Sequence, residues 1–169
     1  MLPSWKELLQ QKLNLPRADN GSALARTCLV GVGSDLRGDD SAGLMVARAL
    51  QDYVERAPHL LVIEGGPAPE NHTGKIRAFQ PELVIFIDAA HIDEPPGTIQ
   101  WIPLEVIDGM SASSHSLPLS MVASYLKLEI GCEVTVLGIQ PGQNDISEKL
   151  SPAVRVAVEE IVEEVQRTQ

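Results

Sequence analysis

Apolar positions along the chain follow two rhythms that alternate. Short unbroken apolar runs at residues 27–33, 60–63, 83–87 and 133–139 read as strands covered on both faces, as in a parallel sheet. Between them apolar residues recur at helical spacing. Ala42, Met45, Val46, Ala49, Leu50 and Tyr53 predict a helix to about residue 54, and a second helix is predicted over roughly 70–79 despite Gly74. A third opens at Pro118, a residue suited to a first helical turn, and runs to about 128. Residues 98–102 follow the turn Pro95-Pro96-Gly97 and read as a further strand, with an antiparallel edge as one placement. In the last element Ser151 stands at the N-cap and Pro152 at the first helical position. Its stripe of Val154, Val158, Ile161 and Val165 faces away from Glu159, Glu160, Glu163 and Glu164, a run that reads as a solvated face.

Strands alternating with helices predict an α/β fold. The expectation is a single three-layer domain, a mostly parallel twisted sheet of about five strands with helices on both faces. Residues 23–169 form that domain. Residues 1–22 form an appended helix, carrying Trp5, Leu8, Leu9 and Leu13 on one side, and a linker from Pro16 to Ser22.

Composition narrows the function classes. At 169 residues and 44% hydrophobic content the chain can bury a sizeable core without disulfides, and no apolar run approaches the ~20 residues of a transmembrane helix. Lys6 and Glu7 interrupt the first ten residues, unlike a signal peptide, so a cytoplasmic location is expected. Cys28 and Cys132 lie in separate apolar segments and read as reduced core thiols. A formal net charge of -10 argues against nucleic acid or an anionic membrane as a partner and suits a cation or a basic peptide; with no long apolar run, no membrane insertion is expected.

The chemistry gathers where strands end. Asp39 and Asp40 follow the first strand, Glu64 the second and Asp88 the third. In a parallel sheet the carboxyl ends share one edge, so these acids can converge, and His115 can join them from a Ser-rich loop over residues 108–116. One acid of the Asp39-Asp40 pair could cap the next helix, but a second adds repulsion without structural return. Should Asp40, Glu64 and His115 meet, two hard carboxylates and one imidazole suit Zn²⁺, Ni²⁺ or a similar divalent ion. A dinucleotide site competes through Gly31-Val32-Gly33, yet Leu36 occupies the third glycine position and the two aspartates oppose a pyrophosphate. A Ser-His hydrolase built on Ser113 or Ser114 lacks a nucleophile elbow.

Five segments together carry a family resemblance. They are Gly31-Val32-Gly33-Ser34-Asp35-Leu36-Arg37-Gly38-Asp39-Asp40-Ser41-Ala42-Gly43, Glu64-Gly65-Gly66-Pro67-Ala68-Pro69-Glu70-Asn71, Ile87-Asp88-Ala89, Ser114-His115-Ser116-Leu117-Pro118-Leu119 and Leu137-Gly138-Ile139-Gln140-Pro141. In this order the chain resembles the hydrogenase maturation endopeptidases, most closely the branch serving formate hydrogenlyase hydrogenases. The resemblance implies a peptidase that removes the C-terminal extension of a nickel–iron hydrogenase large-subunit precursor. It implies metal contacts at Asp40, Glu64 and His115, toward Ni²⁺ carried by the substrate, and leaves Asp39 or Asp88 as the catalytic base. Three positions depart from the family pattern: Ser34 for Asn, Ser41 for Gly and Glu64 for Asp. The reading from another class is a non-catalytic metal- or nucleotide-binding module on a Rossmann-like fold.

Overall fold

A computed structural model describes residues 1–19, 23–112, 115–142 and 149–167. Ser113 and Ser114, and the linker residues Asn20 to Ser22, lie outside the described residues. Five strands form one sheet: β1 (Thr27–Val32), β2 (Leu60–Gly66), β3 (Leu83–Ala89), β4 (Ile99–Ile102) and β5 (Glu133–Ile139), in spatial order β2-β1-β3-β5-β4. The first three and β5 are parallel, and β4 runs antiparallel along β5 at the edge. The expected three-layer α/β architecture is therefore the observed one.

Helices α1 (Trp5–Leu13), α2 (Ala42–Leu50) and α6 (Pro152–Arg167) cover one face, and α3 (Thr73–Phe79), α4 (Ile107–Met110) and α5 (Leu119–Ile130) the other. Every residue of β3 is buried. Leu83, Ile85 and Ile87 face the α2–α6 side, while Val84 and Phe86 face α3 and α5. This two-sided burial is what an unbroken apolar run produces in place of alternation. Cys28 and Cys132 are buried free thiols, and burial pushes the Cys28 thiol far up from its ordinary value. Among the described residues no helix is long and apolar enough to cross a membrane.

Several boundaries differ from the pattern reading. Strands β2 and β3 continue past their apolar runs, so Glu64 and Asp88 lie within strands. The Ser-rich loop begins with the short helix α4. Helix α1 carries a Ser4–Glu7 capping box, buries Leu9 and Leu13 against α6, and receives a Trp101 Nε1 hydrogen bond at the Trp5 carbonyl. Glu164 departs from the solvated-face reading: it is buried, and Gln10 Nε2 donates to its carboxylate. It shares the inward side of α6 with Ala157 and Ile161, a polar member that an apolar tally passes over.

Glycine lets α2 lie directly on the sheet. A Cβ at Gly43 would stand 1.9 Å from the Ile87 carbonyl oxygen, and one at Gly31 would stand 2.2 Å from the Gly43 carbonyl oxygen. Gly43→Ala is expected to cost about 3 kcal/mol, since backbone must shift to admit the methyl. Chemical denaturation checks this, and an unchanged midpoint would contradict so close an approach.

Candidate active site

The carboxyl end of β1 turns at Gly33, whose φ of 141° is open to glycine. A Cβ there would lie 2.0 Å from the Asp40 carbonyl oxygen. The chain then winds into a 3-10 turn, Gly38–Ser41, in which all four residues are buried. Ser41, in the family's glycine position, closes this turn by donating from Oγ to the Gly38 carbonyl at 2.6 Å. Neither aspartate caps α2, whose N-cap Ser41 makes no side-chain cap bond. Ser41, Ala42 and Gly43 are buried, so the start of α2 offers a pyrophosphate no open face.

The paired aspartates have different surroundings. Asp39 Oδ1 accepts from the Ser151 amide at 2.7 Å, and Oδ2 accepts from the Gly142 amide and the Ser151 hydroxyl at 2.8 Å each. Both its oxygens are engaged, tying the first turn to the chain after β5 and to the start of α6. Asp40 is only 5% exposed, and its Oδ1 is buried without a hydrogen-bond partner. Its carboxyl is held above the usual range, chiefly by desolvation and further by Asp88 and Asp39, against the lowering pull of Arg37 and His91. A buried acceptor lacking a donor is costly unless something fills it.

Asp88, fully buried on β3, faces the chain leaving α4. That chain is held to the end of β3 by the Ala112 amide donating to the Ala89 carbonyl and the His91 amide donating to the Met110 carbonyl. Ser111 Oγ donates to Asp88 Oδ2 at 2.6 Å and lies 2.7 Å from His115 Nε2, which is itself 3.3 Å from Asp88 Oδ2. Both neighbours of Nε2 present oxygen lone pairs, so in neutral imidazole the proton resides on Nε2. The lone pair is then on Nδ1, which is buried and has no partner. Asp108, Ser111, His115 and Pro118 line a cavity of about 220 Å³ here.

Glu64 stands apart from these groups. Its Oε2 accepts from Arg48 Nε at 3.1 Å and Nη2 at 3.0 Å, while the same guanidinium binds Asp35. Asp35 and Glu64 both raise the Arg48 pKa through these bonds. The structure thus brings His115 to Asp88 and pairs Glu64 of β2 with Arg48 of α2. Among the described residues no three of His, Cys, Asp and Glu are grouped to hold a metal ion. Pattern reading passed over Ser111 and Arg48. Ser111 sits in a run of serines without distinguishing spacing, and Arg48 occupies a polar position on a helix otherwise read for its apolar side.

Comparison with known proteins gives a consistent answer. The family model for hydrogenase maturation protease matches residues 44–168. The hydrogenase 3 maturation protease of Escherichia coli is 33% identical over 141 residues, covering 82% of this chain and 87% of that protein. The crystal structure of a nickel–iron hydrogenase maturation protease from Thermococcus kodakarensis superposes with a TM-score of 0.80 at 34% identity, over 95% of this chain and 97% of that one. The hydrogenase maturating endopeptidase HybD of E. coli aligns with a TM-score of 0.66 at 26% identity, over 83% and 89% of the two chains.

Proposed function

The chain belongs to the hydrogenase maturation protease family, and on that premise we propose that it removes the C-terminal extension of a nickel–iron hydrogenase large-subunit precursor, recognising Ni²⁺ that the substrate already carries. It is a peptidase, as its relatives are. Large-subunit precursors are the partner class this activity requires.

One observation carries the nickel reading: two buried lone pairs, at Asp40 Oδ1 and His115 Nδ1, have no donor. A hard oxygen and a borderline nitrogen form a donor pair suited to Ni²⁺. Glu64 is assigned as the third contact, joining when substrate draws it from Arg48. Its extra methylene relative to Asp gives it the reach to exchange between the two. A cation beside Asp40 also relieves the repulsion that Asp88 and Asp39 impose on it.

Proton handling falls to Asp88 rather than Asp39. Both oxygens of Asp39 already accept bonds that fasten the chain, whereas Asp88 holds His115 and Ser111 at the cavity. Ser111 is a positioning residue, fixing the ring so that Nδ1 is the free nitrogen. Hydrolysis needs a water oriented on the scissile carbonyl and a group to accept its proton. Asp88 is the carboxylate assigned to that role.

Incubation with purified precursor tests the proposal. The nickel-loaded form is expected to lose its C-terminal extension, seen as a mass decrease, while the nickel-free form stays intact. Equal cleavage of both would remove nickel as the recognition element. Cleavage of neither would remove this substrate.

A further inference from the structure

Beside the site, α5 and the residues leading into it present an apolar side to solvent. Leu117, Met121 and Tyr125 are 40%, 57% and 40% exposed, unusual for large apolar groups clustered on one short stretch. With Val122 and Thr73 they wall a groove of about 330 Å³, and Glu70 is its only acid. Its far end is bounded by Tyr125, whose hydroxyl accepts from Arg77 Nη1 at 3.0 Å. The hydroxyl of Ser116, the residue after His115, donates to Glu70 Oε1. Glu70 Oε2 has no partner. The Ser116 bond lies at the surface, and the terminal torsion of a glutamate is soft, so the carboxylate can turn toward an incoming donor.

Resting on the processing role above, we propose that this groove is a substrate subsite. It receives a segment of the precursor adjoining the cleaved bond. An apolar side chain of that segment packs on Leu117, Met121 and Tyr125, and a cationic side chain pairs with Glu70. Three observations select this occupant. Leu117 of the groove is bonded to Pro118, which lines the His115 cavity, so the groove borders the site. Among the described residues its only lining acid is Glu70, a carboxylate with an unused acceptor, which calls for a donor of positive charge. The formal net charge of -10 opposes a second copy of this chain and favours a basic segment.

Steady-state cleavage of the nickel-loaded precursor by the full-length protein tests the groove through two substitutions, Glu70→Gln and Met121→Lys. Each is expected to raise KM at least about tenfold with kcat within about twofold, because an interaction made in binding is lost while the reacting groups stay in place. Circular dichroism confirms that both variants fold. A fall in kcat at unchanged KM would make Glu70 a support for the His115 loop and overturn the subsite. Wild-type KM in both variants would overturn it too. A wild-type dimer in sedimentation that Met121→Lys dissociates without change in KM would assign the groove to self-association, again overturning it. The wild-type control separates the two readings: if the unaltered protein does not cleave the precursor, the processing role itself has failed.

Discussion

Asp40→Asn is expected to lower the rate of precursor processing more than about a hundredfold while leaving the protein at least as stable as wild type at neutral pH. The two halves of this result have one cause. The carboxylate of Asp40 is desolvated, with an oxygen that nothing in the fold satisfies, so on the proposed reading it serves a ligand at the expense of the fold. The sign follows from its raised pKa. In the wild type stability is full below the ordinary aspartate range, where Asp40 is protonated both folded and unfolded. It declines as pH rises through the raised folded value, because the unfolded chain releases the proton more readily. The amide in the variant does not titrate, so that part of the decline disappears. Thermal melts of both proteins from pH 4 to 7, alongside the processing assay, make the comparison. Retained activity would remove Asp40 from the site. A lower melting temperature at pH 7 would show that its carboxylate is structural.

Asp39→Ala is expected to act in the opposite sense, on stability first. Losing this carboxylate leaves the Gly142 amide and the Ser151 amide and hydroxyl without their acceptor. Charge-assisted bonds of this kind contribute about 1.5–3 kcal/mol each and are not additive, so the loss is about 3 kcal/mol. For a chain of this length that lowers Tm by roughly 6–12 °C. Processing measured below the transition is expected to persist at a reduced rate, well above that of Asp40→Asn. Abolished cleavage with an unchanged Tm would instead return Asp39 to proton transfer. Adjacent aspartates with opposite phenotypes separate the fastening group from the ligand group.

The layered fold was legible because burial on both faces leaves unbroken apolar runs, and the sheet edge was legible because two of those runs stop at acids and a third is followed by an acid pair. Asp40 stood out because two adjacent carboxylates at a helix start have no shared structural use. What the carboxylates bind was not legible. The partners of Asp39 lie more than a hundred residues further along the chain, and pairing over such distances leaves no periodic trace. Arg48 was hidden within an apolar helix pattern, and with it the fact that Glu64 is paired with a guanidinium. The tautomer of His115 depends on Ser111, and residue order does not show which serine of several faces Asp88.

Arg48 gives the site a threshold. It holds Glu64 and Asp35 together, and as an exposed pair its grip on Glu64 is worth no more than about 1 kcal/mol. When Glu64 departs, the guanidinium keeps Asp35 and no charge is stranded. On the proposed nickel reading, an ion that recruits Glu64 must outcompete a guanidinium for that carboxylate. Weakly held hydrated cations such as Mg²⁺, which dehydrate reluctantly, gain little by doing so, whereas a transition metal already seated in a protein substrate does. On that reading the arginine competes for the glutamate, and the glutamate is a latch that a sufficiently good ligand opens.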